Sequence, residues 1–369
     1  MDLPKYDGNI HPDEWINDLH TYLNIKKSSI DINIAISLVD STIKLPTGID
    51  NFDKLRNALK EDISFTIFKN TNKRKLQSLK YNPERKGGDT SKFISTFRKL
   101  CYNAEINDIE EQKRYLYKSL PNNHFDYISN EFYKRMKNVN SINELAKEFE
   151  DIVLEESNLI RKESIVALKH IATGKYLSSI SNLRYTTGSK SQLVFVGSSE
   201  PDPNSLWKIS FSSELATYTD TFITLQHVKS NNMFLGINHG YKYNTGYNSE
   251  FGFHYNKSPS NNHIEVSCNN FNNSGYDRNN YWVNNWKFNY SKVGDHQGYL
   301  KSNDIVNLSI NKRDINNGSI HHNQYEFLRS HDIQFTIGND TFQEVVCHDE
   351  RLGGNDEWCI ELIHEVKIF

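Results

Sequence analysis

Apolar residues recur with two different periods along the chain, and the change falls near residues 157–163. Residues 10 to about 160 place an apolar residue at every third or fourth position, which is typical of amphipathic helices. Four such stripes are Trp15, Leu19 and Leu23; Phe52, Leu55, Leu59 and Ile63; Phe93, Phe97 and Leu100; Leu145, Phe149 and Ile152. Helix-start signals precede the last two stripes, at Asp89 and in the capping box Ser141–Glu144. The first part of the chain is therefore predicted to be a compact all-α domain.

Beyond residue 163 the helical period gives way to short alternating runs separated by Gly, Asn, Ser and Asp clusters. The runs Ile165–Leu168, Gln192–Val196 and Phe222–Leu225 are typical of β-strands. Two stretches rich in Asn, Ser and Tyr, Asn238–Asn262 and Asn269–Asn280, are predicted to be long surface loops. The second part is therefore predicted to be an all-β domain.

Three stretches of the second part look like variations on one unit that opens with a strand and closes on a Trp. The openings are Ala167–His170, Thr224–His227 and Phe327–Ser330, and the closing residues are Trp207, Trp286 and Trp358. A unit of a few strands cannot bury its own apolar face, so the three copies must pack against one another. The repetition favours a closed body with pseudo-threefold symmetry.

A motif opens the first unit and recurs in the second. It runs from a strand through His170 to a turn at Thr173-Gly174 and on to Tyr176 and Leu177, and it returns at Leu225–Leu235 with Asn in place of Thr-Gly. Both Gly and Asn tolerate the left-handed backbone that a tight turn needs. This motif resembles the opening of a MIR domain, a family shared by protein mannosyltransferases, inositol trisphosphate receptors and ryanodine receptors. The resemblance covers roughly residues 163 to 366 and implies a ligand-binding β-trefoil.

The helical part carries a second set of motifs, Trp15–Leu19, Phe93–Leu100 and Tyr115–Pro121, the last ending a helix in Leu-Pro. Their order resembles the capsid portion of a gag protein from gypsy-type long-terminal-repeat retrotransposons, over about residues 3 to 156. The zinc knuckle and protease motifs that usually follow are not in the sequence. The resemblance implies a captured capsid-like domain at residues 1–158, fused to the MIR-type domain at residues 163–369.

Composition and charge restrict the class of protein. The 369 residues are 37% hydrophobic and 12% aromatic with a net charge of −3, which indicates a folded protein without a global signature of nucleic-acid or membrane binding. No apolar run is long enough for a membrane span, and the first residues lack a secretory signal. Four cysteines without CxxC spacing are expected to be reduced thiols, so we expect a cytoplasmic location.

Several residues suggest chemistry, but structural interpretations are preferred for them. His170 and His227 hold equivalent places in two units, so a structural role is expected. His321, His322, His331 and His348 would make a metal cluster, yet a solvated loop is the favoured interpretation. Cys347 and His348 are consecutive on a strand and would point to opposite faces, so Cys347 and Cys359 are expected in the core. We therefore predict no enzyme and no catalytic, cofactor or metal site.

Three groups of residues are candidates for binding. The closing Trp residues are expected in the core, with stacking on a sugar as the alternative. Exposed tyrosines in the Asn-rich stretches are predicted to form a recognition rim, unless these stretches are low-complexity sequence without a function. They are Tyr241, Tyr243, Tyr247, Tyr276 and Tyr281. A basic run is a possible contact to nucleic acid, with a solvated helix face as the favoured alternative, and comprises Lys69, Lys73, Arg74 and Lys75.

These observations lead to one preferred function and two alternatives. The preferred hypothesis is a non-enzymatic protein whose helical domain self-associates into an oligomer or binds a partner. Its β-trefoil would bind a glycan, an inositol phosphate or a peptide. The first alternative is a nucleic-acid-binding gag remnant that carries the trefoil as a passenger. An accessory to a membrane-bound mannosyltransferase comes last, because the sequence contains no membrane span.

Overall fold

The chain is a mixed α and β protein in the computed structural model. The structure describes residues 5–26, 31–121, 127–218, 220–243, 251–260, 263–270, 280–290, 298–316 and 319–364. Contacts within the chain divide it into two compact units, Met1–Ser157 and Asn158–Phe369. No helix within the described ranges is both long enough and apolar enough to cross a bilayer.

The first unit is helical. Its α-helices over the described residues are α1 (Pro12–Lys26), α2 (Ile32–Ser37), α3 (Phe52–Glu61), α4 (Ile63–Ser78), α5 (Thr90–Asn103), α6 (Ile109–Ser119), α7 (Tyr127–Arg135) and α8 (Ile142–Ser157). Side-chain oxygens of Asn51, Asp89 and Asp108 accept hydrogen bonds from backbone N–H groups in the first turns of α3, α5 and α6. These caps satisfy N–H groups that have no partner inside the helix, and so they fix where each helix begins.

The apolar stripes of the helical unit are buried as predicted, except that Phe52 is only partly buried and Ile63 is exposed. Trp15 and Leu59 are fully buried in one cluster, and the rings of Phe93 and Phe149 pack 5.7 Å apart in another region. Ile63 does not extend the α3 stripe, since it is 68% exposed. Asp62 caps a new helix at this point by accepting a hydrogen bond from Ser64 N–H, so the helical phase restarts. That part of the prediction is wrong.

The second unit is built from β-strands. They are β1 (Ile165–His170), β2 (Leu177–Arg184), β3 (Gln192–Val196), β4 (Trp207–Ser210), β5 (Thr224–His227), β6 (Met233–Tyr243), β7 (Phe251–Tyr255), β8 (Ile264–Asn270), β9 (Asn280–Val283), β10 (Trp286–Tyr290), β11 (Asp304–Asn316), β12 (Ser319–Ile337), β13 (Asp340–His348) and β14 (Trp358–His364). The last part of β6 and all of β7 lie inside the stretch Asn238–Asn262, which was predicted to be a loop, so that prediction is wrong for them. The prediction failed because the Asn-rich composition of the stretch was given more weight than the alternation of Phe251, Phe253 and Tyr255, which is a strand signal. Most of the second predicted loop, Asn269–Asn280, lies outside the described residues.

Antiparallel pairs connect the first and last strands of the units in a ring. Strand β1 pairs with β14 and β4, and β11 pairs with β14 and β10. Strand β4 also pairs with β5, and Ile223 ahead of β5 bridges Trp286 of β10. Apolar side chains from every one of these strands meet in a single buried cluster. The ring therefore encloses the core of this unit.

Three further strands, β3, β8 and β13, pair with one another. The partners are Gln192 with Cys268, Ile264 with Cys347, and Gln343 with Val196. The first residues of each strand pair with one neighbour and its last residues pair with the other. The three strands therefore occupy equivalent positions. The repetition in the sequence thus corresponds to a threefold pattern of strand pairing.

The closing tryptophans occupy equivalent places in that pattern. The Nε1–H groups of Trp207, Trp286 and Trp358 donate to backbone carbonyls at 2.9, 2.9 and 3.1 Å. The acceptors are Leu177, Leu235 and Leu328, and all three indoles are fully buried. Their predicted role in the core is confirmed, and stacking of these rings on a sugar is excluded by their burial.

The same equivalence corrects the start of the third unit. Leu328 accepts from its Trp as Leu177 does, so Phe327–Ser330 belongs to the second strand of the unit and not to its opening. The opening strand is β11, where Ile310 pairs with Trp286 as His170 pairs with Trp358. The sequence concealed this strand because it lacks the His of the other two units and leads into an extended β11–β12 hairpin.

The turns of the first two units have the predicted backbone. Gly174 has φ 68° and Asn232 has φ 64°. A residue with a branched Cβ would be strained at either position, whereas Gly and Asn adopt this conformation readily. The two turns thus return the chain in the same way despite their different sequences.

Candidate functional site

The outer half of β6 forms a small sheet with β7 and β9, and three of the predicted tyrosines lie on it. The register pairs Tyr241 with Phe253, Tyr243 with Phe251, and His239 with both Tyr255 and Tyr281. Paired and alternate residues of antiparallel strands share one face. The register therefore brings Tyr241, Tyr243 and Tyr281 to one face, while Tyr247 and Tyr276 lie outside the described residues.

The opposite face of β6 and β9 contains polar atoms without partners. Asn238 pairs with Trp282, and Asn284 lies two residues farther along the chain. The Trp282 Nε1, Asn238 Oδ1 and Asn284 Nδ2 atoms are buried and have no hydrogen-bond partner among the described residues. Since almost all buried polar atoms in proteins are hydrogen-bonded, three orphans close together indicate a place for a polar ligand or for water.

A glycine makes room for this arrangement. A Cβ built on Gly236 would lie 2.2 Å from the Val283 carbonyl oxygen and 2.8 Å from the Trp282 ring. The indole of Trp282 therefore packs directly on the backbone of β6, which holds the ring in place. Sequence reasoning missed Trp282, Asn238 and Asn284, and an aromatic pair within an Asn-rich stretch was the available signal.

Two buried carboxylates hold hairpin turns at equivalent positions of the units. Glu265 accepts hydrogen bonds from Ser189 N–H and Oγ, and Glu344 accepts from Ser260 N–H at 2.9 Å and Oγ at 2.8 Å. The third equivalent position is Leu193, which packs in an apolar cluster instead. These glutamates therefore hold the two turns in place.

Three imidazoles come together beside these carboxylates. The His263 ring lies 5.8 Å from that of His331 and 6.1 Å from that of His348. His331 donates to Glu344 at 2.9 Å, and His348 donates to Asp356 at 2.7 Å. The interpretation of the four histidines as part of a solvated loop is wrong, because His321, His322 and His331 lie on β12 and His348 ends β13. Among the described residues no group of His, Cys, Asp and Glu is arranged to hold a metal ion.

His170 and His227 have the structural role that was predicted. Their Nε2–H groups donate to the carbonyls of Asn355 and Asn204, both at 3.0 Å. Their Nδ1 atoms lie 2.9 and 2.8 Å from the hydroxyls of Thr173 and Ser230. Both rings are fully buried, and burial lowers the pKa of both. Each neutral ring ties its turn to the neighbouring loop.

The cysteines follow the prediction in part. Cys347 is buried in the core, and burial raises the pKa of its thiol well above the ordinary value. Cys359 is only partly buried, so the expectation of a core position is wrong for it. All four cysteines are free thiols.

The basic run lies on α4. Lys69 Nζ is 3.1 Å from a Glu105 carboxylate oxygen, and Lys73 Nζ is 3.7 Å from Glu111. Arg74 donates to the hydroxyl of Thr71, and Lys75 is exposed in the last turn. Acidic neighbours thus compensate the first two cations of the run.

Comparison with known proteins gives weak similarities. No family model matches the chain, and no curated protein does. Among solved structures, the SDF2-like protein from Arabidopsis thaliana is 23% identical with a TM-score of 0.39, over 55% of this chain and 94% of that one. A Caenorhabditis elegans protein of unknown function is 18% identical with a TM-score of 0.39, over 56% and 98%. The S. cerevisiae protein O-mannosyltransferase Pmt1-Pmt2 complex bound to the sugar donor is 18% identical with a TM-score of 0.36, over 73% and 37%.

Proposed function

We propose that this chain is a non-enzymatic binding protein made of a capsid-like helical domain and a MIR-type β-trefoil. The ring of strands around one core, and the three mutually paired strands β3, β8 and β13, support the trefoil. The helical domain self-associates or binds a partner in this proposal. The four free thiols support a reducing compartment such as the cytoplasm.

The trefoil binds its ligand on the outer sheet of β6 and β9. Of the three ligand classes, a glycan fits best, and the orphaned atoms at Trp282, Asn238 and Asn284 carry this choice. A sugar supplies hydroxyl groups that both donate and accept, and its apolar face stacks on an indole. An inositol phosphate needs cationic groups, whereas the orphaned groups here are neutral.

A glycan and phosphoinositide array with the full chain tests this proposal. For any glycan bound, the Trp282→Phe variant keeps an aromatic ring, smaller than the indole, and removes the Nε1–H donor. We expect an affinity about threefold to tenfold weaker, the usual contribution of one hydrogen bond. Since this N–H has no partner among the described residues, Trp282→Phe is expected to lose only part of the ring packing on Gly236, and so less stability than a variant that also breaks a core hydrogen bond.

Trp286→Phe is the matched control. It removes a hydrogen bond inside the core, so it lowers stability and leaves glycan affinity unchanged. Two results contradict the proposed site. One is binding to phosphoinositides and to no glycan; the other is equal affinity of wild type and Trp282→Phe for a glycan.

Light scattering of the full chain across a concentration series tests the helical domain. Self-association predicts a mass that rises with concentration above the 43.0 kDa of one chain. A constant monomer mass at every concentration and salt condition rules out self-association and leaves partner binding as the role of this domain.

The alternative function, nucleic-acid binding, depends on the basic run of α4. Carboxylates compensate the charges of Lys69 and Lys73, so Arg74 and Lys75 would carry most of the contact to phosphates. An electrophoretic shift with RNA at several salt concentrations distinguishes the two functions. Binding that weakens steeply with salt, and weakens further in Arg74→Gln, favours the alternative.

A further inference from the structure

An open groove of about 500 Å³ lies in the helical unit, beside α5 and the starts of α6 and α8. Ligand sites in proteins usually have volumes of about 300–1,000 Å³, so the groove accepts a small molecule or one large side chain. Ile106 and Ile142 provide apolar walls, and Asn107 and Gln112 provide amides. The groove is thus neither a purely apolar cavity nor a purely charged surface.

One uncompensated cation lines the groove. Lys99 also lies there, but both oxygens of Glu14 accept from its Nζ at 2.6 Å. Arg98 instead donates from Nη2 to the Asn143 amide oxygen at 3.2 Å, and no carboxylate of the described residues forms an ion pair with it. A guanidinium has five N–H donors, so most of those on Arg98 remain available to a ligand.

An aromatic ring with a fixed position completes the groove. Tyr102 is 44% exposed, and its ring centroid lies 4.6 Å from that of the buried His11. The Lys99 Nζ lies 5.7 Å from the Tyr102 ring, which further fixes its orientation. An apolar group in the groove therefore meets the phenol ring without having to order it first.

We propose that this groove binds an organic monocarboxylate with an apolar body. Arg98 takes the carboxylate, and the apolar body lies against Ile142 and Tyr102. A single free cation matches a single negative charge, whereas a dianionic phosphate would keep one charge uncompensated. The inference concerns the helical unit and is independent of the glycan proposed for the β unit.

Methyl NMR of the full chain tests the inference, with the methyl groups of Ile106 and Ile142 as reporters. The probes are 3-phenylpropionate, its neutral amide 3-phenylpropionamide, and phenyl phosphate. We expect saturable shifts of both methyls, with the carboxylate binding up to about fivefold tighter than the amide, as one exposed ion pair contributes. Arg98→Gln removes this difference. Arg114→Gln, an exposed arginine of α6 outside the groove, retains it.

Three results overturn the inference. These are an absence of saturable shifts at both methyls, equal affinity for the acid and the amide in wild type, and tighter binding of phenyl phosphate than of the carboxylate. The reporters lie only in the helical unit, so a failed glycan array leaves this test unaffected, and a failed titration leaves the glycan test unaffected.

Discussion

Replacing Asp356 should strongly destabilise the β unit. Its carboxylate is fully buried and accepts from His348 Nε2 at 2.7 Å, Arg329 Nε at 2.8 Å and Gly353 N–H at 2.7 Å. The Asp356→Asn variant keeps the shape but removes the buried one of the two carboxylates that pair with Arg329, the other being the exposed Glu350. Breaking a buried, hydrogen-bonded ion pair costs about 3–5 kcal/mol, and Arg329 is 14% exposed, so we expect about 3 kcal/mol.

The same contacts predict how this difference depends on pH. Burial by itself raises the pKa of Asp356, but hydrogen bonds from His348, Arg329 and Gly353 lower it to about 2. An unfolded aspartate titrates near pH 3.9, so folding favours the charged form by about 2.6 kcal/mol. A lowered pKa stabilises the fold above the unfolded value. This stabilisation is lost as the pH falls from about 4 through about 2.

The assay is urea unfolding of the full chain, followed by Trp fluorescence at pH 7 and at steps between pH 4 and 2. The difference between wild type and Asp356→Asn should shrink by about 2 kcal/mol over that interval. Asp349→Asn, an exposed neighbour, should change stability by less than about 0.5 kcal/mol. A loss below about 1 kcal/mol for Asp356→Asn, or a difference that does not vary with pH, would refute the reasoning.

Three further predictions concern the repeated units. Trp207→Phe and Trp358→Phe should each cost about 1–3 kcal/mol in urea unfolding, because each leaves a core carbonyl without its donor; equal stability to wild type would contradict the assigned hydrogen bonds. Gly174→Ala should cost about 1 kcal/mol in thermal unfolding through its positive φ alone, since no atom lies within 4 Å of the added Cβ. Asn232→Gly serves as its control and should stay within about 0.5 kcal/mol of wild type. Cys347 should react with a maleimide only after unfolding, as mass spectrometry of the labelled chain would show, and rapid labelling of the native chain would contradict its burial.

Residues close together in the sequence explain why the helical unit was predictable. A stripe such as Phe93, Phe97 and Leu100 depends on the helical period alone, and the Asp89 cap on a contact three residues away. The prediction failed at Ile63, because α3 ends and α4 begins at Asp62. No Gly or Pro marks this junction in the sequence.

The β unit was predictable where its repeats retain their residues. The indoles and the His170 and His227 turns are alike in sequence and proved alike in structure. The opening strand of the third unit was missed because Ile310 stands where the other two units have a histidine. Only the pairing of β10 with β11 identifies this strand.

The sequence by itself determined the two periods, the helix caps, the turn conformations and the identity of the core tryptophans, since each depends on neighbouring residues or on repetition. Only the tertiary structure decided which polar groups are satisfied. Arg329 meets Asp356, and Asn238 pairs with Trp282, across separations that no local pattern encodes. Hydrogen bonding and burial depend on what lies nearby in space. The orphaned atoms of Asn238, Trp282 and Asn284, and the guanidinium of Arg98 without a carboxylate partner among the described residues, therefore became visible only in the folded chain.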